Sequence, residues 1–176
     1  MSRKLLLYIS ASLDGYIATE AGDLDFLSSV AQEGEDYGYY DFVKSVDTVI
    51  IGRKTYEKVI SMGFEYPHVD KDVYIITRTP RPDVGTFKFY SGDLTELVQG
   101  LKKMPGKNIY CDGGAEIVQK LLQANLIDEI IISIIPFLLG GGIRLFKEGR
   151  PMQKLKLISS KQFEMGLVQL HYVRKD

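Results

Sequence analysis

Two hydrophobic periods alternate along this chain. Residues 4–11 (KLLLYISA) form an apolar run that predicts a first strand, and Asp14-Gly15 marks a turn before Tyr16-Ile17-Ala18 resumes it. Leu24, Phe26, Leu27 and Val30 fit a short helix begun by Asp23. Tyr39, Phe42, Val43 and Val46 share one helical face, so 34–46 is predicted as an amphipathic helix. Residues 47–51 (DTVII) return to strand, and a helix follows from Tyr56 to about Ile60. A third strand covers 72–77 and ends at Thr77-Arg78, where Pro80 and Pro82 impose a loop. A short strand over 87–90 precedes a helix over 94–102, with Asp93 as N-cap and Glu96 at the capping-box position.

The stretch 107–146 organises the rest. Residues 108–111 read as a strand broken by Asp112-Gly113-Gly114. The spacing of Ile117, Val118, Leu121 and Leu122 predicts a helix over 115–123. Residues 127–135 are almost continuously β-branched, which fits a strand buried on both faces. Residues 154–163 and 167–173 then form a hairpin around Glu164-Met165-Gly166. The order of elements predicts a three-layer α/β fold, with a mostly parallel central sheet and an antiparallel C-terminal hairpin at one edge. Residues 1–176 are expected to form one domain.

Composition narrows the function. Hydrophobic residues make up 45% and charged residues 26%, and the net charge is −1, so no basic field draws the chain to nucleic acid or to an anionic membrane. The longest apolar segment, 130–139, is too short to span a bilayer and contains Pro136. The single cysteine, Cys111, excludes an internal disulfide and fits a reducing, cytoplasmic setting.

Ligands of open α/β sheets sit beyond the carboxyl ends of the strands. Four features fall there: residues 10–15, Gly52-Arg53-Lys54-Thr55, Thr77-Arg78, and Gly113-Gly114. A strand that passes through glycine into a helix aims free backbone N–H groups at an anion. Arg53 and Lys54 oppose the dipole of the helix they open, a cost that a bound anion reverses. Together the four point to one extended ligand with several phosphates, and the surplus of cations suits a ribose 2′-phosphate. The usual dinucleotide fingerprint is absent, since Gly140-Gly141-Gly142 leads to Leu145 with no clear helix. His68 and His171 are far apart, so no metal site is expected. No Ser-His-Asp or Cys-His pattern is present, and Cys111 reads as inert core. Hydride transfer needs no side-chain nucleophile, so a site rich in phosphate ligands and poor in catalytic groups is consistent with a reductase.

These motifs resemble those of the dihydrofolate reductase-like superfamily, and within it the riboflavin-biosynthesis reductase family. Residues 12–18 (SLDGYIA) are similar to S-x-D-G-x-I-A, and 52–57 (GRKTYE) to G-R-x-T-[WY]-E. Gly113-Gly114-Ala115, Leu121-Leu122, 126–129 (LIDE) and 136–140 (PFLLG) resemble GGA…LL…LVDEL…PxLLG, in order along nearly the whole chain. The resemblance implies a dihydrofolate reductase-like fold and an NADPH-dependent reductase. Its substrate would be a 5-amino-6-(5-phosphoribosylamino)uracil-like pyrimidine or a related small heterocycle. Ala11 and Ile17 would flank the nicotinamide. Gly52, Arg53, Lys54 and Thr55 would take phosphates, and Thr77 and Arg78 would hold the adenosine end, with Arg78 on the 2′-phosphate. Gly113, Gly114, Ala115, Glu116 and Ile117 would take the pyrophosphate. Asp14 would lie near the nicotinamide as the candidate catalytic and substrate-contacting group. Ser133 would approach the substrate, and Tyr39 is a candidate wall of its pocket. A homodimer is implied as well, and apolar Phe137-Leu138-Leu139 offers a surface for it. The acid that folate reductases carry four residues ahead of an aromatic is missing, because counting back from Phe42 gives Gly38. Asp112 stands where the riboflavin reductases place a glutamate. Dihydrofolate reductase proper is the alternative, and an NADP-binding sensor or interaction protein without turnover is a further one.

Overall fold

A computed structural model describes residues 2–175. Its eight-stranded sheet has the order β5-β4-β3-β6-β1-β7-β10-β9. The strands are β1 (Leu5–Ser12), β2 (Tyr16–Ala18), β3 (Val46–Gly52), β4 (Asp72–Ile76), β5 (Phe87–Tyr90), β6 (Asn108–Gly113), β7 (Glu129–Ile135), β8 (Ile143–Arg144), β9 (Leu155–Gln162) and β10 (Val168–Arg174). Strands β5 to β7 in that order pair in parallel, and the β9–β10 hairpin adds antiparallel strands beside β7. The helices are α1 (Tyr39–Lys44), α2 (Arg53–Ser61), α3 (Leu94–Lys103) and α4 (Ala115–Gln123).

Side-chain alternation along the central strands builds the layers. Leu5 and Leu7 of β1, with Ile109 and Cys111 of β6, pack under α3 and α4 through Leu94, Val98, Val118 and Leu121. Leu6 and Tyr110 point the other way, into a cluster with Phe42, Val49, Ile51 and Tyr66 that also takes in Tyr56 and Val59 of α2. A one-residue slip would exchange the two faces, so burial on both sides fixes the register.

Local departures from the expected elements have identifiable causes. The helix expected over 34–46 shrinks to α1, because Gly34 and Gly38 adopt φ of +80° and +81° and Tyr37 adopts +56°. The Asp36 carboxylate accepts the backbone N–H groups of Gly38 (2.9 Å) and Tyr40 (2.8 Å) and turns the chain into α1. Asp23 does not cap the next segment, which is a 3₁₀ helix, Asp25–Val30, with Leu24 at its N-cap position. Its carboxylate pairs with Lys58 instead. Strand β6 runs on through Asp112 to Gly113, since β3 continues to pair with it up to Ile51↔Gly113. Asp93 caps α3 as expected, accepting the Glu96 N–H at 2.9 Å.

Asp14 has a structural task that its sequence context does not show. Its carboxylate accepts from the Ser12 hydroxyl at 2.6 Å and from the N–H groups of Leu139 (3.1 Å) and Gly140 (2.7 Å). It thereby ties the β1–β2 turn to the loop after β7. The bond from Ser12, and then those from Gly140 and Leu139, hold its carboxyl below the usual carboxylate range. The same region contains a pairing with no clear sequence signal, the two-stranded ladder β2–β8. Gly142 permits it: a Cβ there would lie 2.2 Å from the Ala18 carbonyl oxygen, and its φ is +134°.

Two outcomes follow from these contacts. Gly142→Ala forces backbone apart in a conformation that L side chains rarely adopt, so it should cost about 3 kcal/mol and lower the melting temperature by roughly 10 °C. A calorimetric scan of wild type and variant measures this. Because the folded Asp14 carboxyl titrates below its unfolded counterpart, its stabilisation is full above the unfolded pKa of about 3.9 and is lost as pH falls through the folded value. The melting-temperature gap between wild type and Asp14→Ala should therefore be widest near neutrality and close in acid.

Candidate functional site

The carboxyl ends of β3, β4 and β6 open onto one cleft of about 1790 Å³. That exceeds the roughly 300–1,000 Å³ of a pocket for one drug-sized ligand, so there is room for a coenzyme and a second molecule. The two glycine turns meet here. A Cβ on Gly52 would lie 3.2 Å from Ile117 Cγ1 and 3.7 Å from both Gly113 O and Gly114 N. A Cβ on Gly114 would lie 2.7 Å from Thr55 Oγ1. The starts of α2 and α4 are thus packed backbone to backbone, a proximity that side chains at these positions would fill. Gly113 adopts a φ of +106°, which favours glycine.

Both helix starts present uncommitted donors. Gly52 and Gly114 are the N-caps of α2 and α4, and neither helix has a side-chain cap. The first-turn N–H groups of two nine-residue helices therefore face the same part of the cleft. Lys54 lines it and has no ion-pair partner among the described residues. Arg53 also lines it, but donates to Glu57 at 2.6 Å and holds that carboxyl below its usual range. Arg78 is 92% exposed and lies 3.9 Å from Glu116, close enough for attraction but free to move to a ligand. Thr77 is buried, and its hydroxyl bonds Thr79 within the turn after β4. These residues form a cradle that fits a nucleotide with several phosphates.

The other half of the cleft is aromatic. Tyr8 and Ser10 of β1 share the face of β6 that carries Tyr110 and Asp112, and all four line the cleft. Tyr66 and Tyr110 donate to the two oxygens of the Asp112 carboxylate, at 2.5 and 2.7 Å. Burial, followed by the Asp112 charge, pushes both phenols well above their usual range, so they remain donors. The Tyr39 hydroxyl bonds His68 Nε2 at 3.0 Å, and His68 is buried with its pKa lowered by that burial. Gln169 reaches from β10 to donate to Tyr8 Oη (3.1 Å), the Tyr37 carbonyl (3.0 Å) and Ser133 Oγ (3.2 Å). Leu27, Val30, Ile135 and Leu167 complete this wall.

Of the residues expected at the site, Ile17, Tyr39, Gly52, Arg53, Lys54, Thr55, Thr77, Arg78, Gly114, Ala115, Glu116, Ile117 and Ser133 all line the cleft. Three do not. Ala11 is fully buried on the α3/α4 side of β1, within the core. Gly113 is buried just behind Gly114. Asp14 is turned to the 139–140 loop and is committed to the three hydrogen bonds described above. Sequence reasoning missed Tyr8 and Tyr110, which line the cleft, and Tyr66, His68 and Gln169, which hydrogen-bond residues that line it. A period-two signal did exist for Tyr8 and Tyr110, which alternate with core leucine, isoleucine and cysteine. Tyr66, His68 and Gln169 arrive from loops and from a hairpin strand that carry no such signal. Cys111 is the inert core thiol expected, fully buried and with its pKa pushed up to about 12.

Comparison with known proteins agrees with this geometry. The YwjB protein of Bacillus subtilis (strain 168) is 45% identical over 175 residues, spanning 99% of each chain. A crystal structure from Shewanella sp. PV-4, provisionally assigned to riboflavin biosynthesis, superimposes with a TM-score of 0.88 at 32% identity over 100% of both chains. Dihydrofolate reductase of Enterococcus faecalis, solved with NADP(H), gives a TM-score of 0.68 at 18% identity over 98% of this chain and 97% of its own, a likeness of fold. Residues 3–169 match the family model described as the RibD C-terminal domain. This chain therefore belongs to the RibD C-terminal domain family, built on the dihydrofolate reductase-like fold.

Proposed function

We propose that the protein is an NADPH-dependent reductase that delivers hydride to a small heterocycle of the pyrimidine–ribose type. The observation that carries this reading is the convergence, in one cleft, of two uncapped helix starts with Lys54 and the exposed Arg78. The family is one of oxidoreductases of riboflavin biosynthesis, which agrees with it. When bound, NADPH would supply the hydride, and the protein supplies position and a proton. The N–H groups after Gly52 and Gly114 take the pyrophosphate, and Thr55 and Lys54 take the adjoining phosphate oxygens. Arg78 holds the ribose 2′-phosphate, and Ile17 packs against the nicotinamide. Ser133 and Tyr39 meet the substrate from the opposite wall. Tyr39 keeps its proton at neutral pH, because burial and the charge of Asp112 raise its pKa, and it lies next to His68.

The same reading includes a cytoplasmic homodimer. Strand β9 is exposed along its length, with Leu155, Leu157 and Ile158 uncovered, and Phe137 and Leu138 are exposed as well. A second copy would cover this surface.

Titration with NADPH, followed by fluorescence enhancement, should saturate at micromolar concentrations, whereas NADH should bind more weakly. Arg78→Ala should lose roughly 10-fold in NADPH affinity, about 1.4 kcal/mol, and leave NADH binding unchanged. A thermal scan with no shift at millimolar NADPH would refute the cofactor reading. Light scattering at micromolar protein should give the mass of two chains, and the mass of one would refute the dimer.

A further inference from the structure

The charge on the two halves of the cleft is divided unevenly. Six basic residues line it: Arg53, Lys54, Lys58, Arg78, Lys120 and Lys147. Five belong to the coenzyme half. Arg53 and Lys54 open α2, Lys120 is on α4, and Arg78 follows β4. Lys147 sits in a loop held to α4 by the bond from Gln119 to the Glu148 carbonyl at 2.7 Å. Only Lys58, one turn further along α2, reaches towards the aromatic half, and Asp23 pairs with it at 3.3 Å.

The aromatic half carries negative charge instead. Asp36 and Asp112 both line it. The Tyr40 and Gly38 amides hold the Asp36 carboxyl below its usual range, so it is ionised at neutral pH. α1 opens onto this half, but the Asp36 carboxylate already occupies the anion position at its start. A phosphate monoester brings a charge of about −1.5 to −2 and requires guanidinium, ammonium or free helix-start N–H groups. Among the described residues, this half offers none of these uncommitted. It offers the aromatic side chains of Tyr8, Tyr37 and Tyr39, apolar Leu27 and Val30, and a few neutral polar atoms such as Ser133 Oγ. Such a surface stacks a planar ring and accepts hydrogen bonds from its N–H groups.

We infer that the substrate is an unphosphorylated planar heterocycle, neutral or cationic, in place of the phosphoribosyl pyrimidine that the resemblance to riboflavin-biosynthesis reductases implies. The inference rests on the reductase reading above and deepens it. The chain keeps the coenzyme half of the site and lines the other half with the carboxylates of Asp36 and Asp112. Discrimination then works by repulsion as well as by fit, because a phosphate placed here meets the Asp36 and Asp112 carboxylates and, among the described residues, no cation except Lys58, which Asp23 already pairs.

The test has two separable arms. The first is the NADPH titration already described, and its failure would remove the reductase reading itself. The second uses protein loaded with NADP⁺ and isothermal calorimetry. It compares two matched pairs: 5-amino-6-(ribosylamino)uracil against its 5′-phosphate, and riboflavin against riboflavin 5′-phosphate. The unphosphorylated member of at least one pair should bind, and bind tighter than its phosphate ester by about 10-fold or more. Ala31→Arg adds a cation to the exposed rim of this wall and should narrow that gap by several-fold. Preference for the phosphorylated members, no binding by any of the four compounds to the loaded protein, or a gap unchanged in Ala31→Arg would each overturn the inference while leaving cofactor binding intact.

Discussion

The close approach of two glycine turns is the constraint on which the site depends. Strands β3 and β6 are hydrogen-bonded neighbours in parallel, so their carboxyl ends emerge side by side and the helices that follow must start almost in contact. Side chains at Gly52 and Gly114 would meet Ile117 and Thr55 there. With hydrogens in those places, two sets of helix-start N–H groups converge on a single volume. Each strand end alone is an ordinary turn, and the candidate anion cradle forms only because the register of the sheet brings them together.

From this constraint the division of labour follows. The α3/α4 face of the sheet is filled by aliphatic side chains, which fix the strands and leave little that is polar. The opposite face fills its core with aromatic rings, and their hydroxyls extend towards the cleft: Tyr66 and Tyr110 to Asp112, Tyr39 to His68. A tyrosine supplies apolar bulk to a core and a hydroxyl to a site, so one residue type serves both packing and recognition. The network is well satisfied, with His68 Nδ1 as the exception, since it is buried without a partner.

Much of this was readable from the chain alone, for definite reasons. Helices α3 and α4 show three- and four-residue spacing, and Asp93 does cap α3. The glycine-led helix starts were visible because Gly52 and Gly113-Gly114 each follow a β-branched or apolar run. What could not be read depends on contacts between segments distant in sequence. The β2–β8 ladder needs Gly142 against Ala18, more than a hundred residues away. Asp14 looked like a site residue because it follows the first strand at the right end of the sheet. Only the position of the loop after β7 shows that its carboxylate serves as a fastener for backbone amides. The aromatic half of the cleft was the least legible, because its lining comes from β1, β6, β7, α1, the 3₁₀ helix and the loops around them.

Cys111 has a consequence of a different kind. The lone thiol lies in β6, paired on either side to β1 and β3, with no solvent exposure. A thiol reagent can reach it only after the middle of the sheet has come apart, because fraying at β9 or opening of the cleft leaves it covered. The rate of alkylation would therefore act as a clock for whole-molecule opening. With one sulfhydryl in the chain, that clock has a single hand.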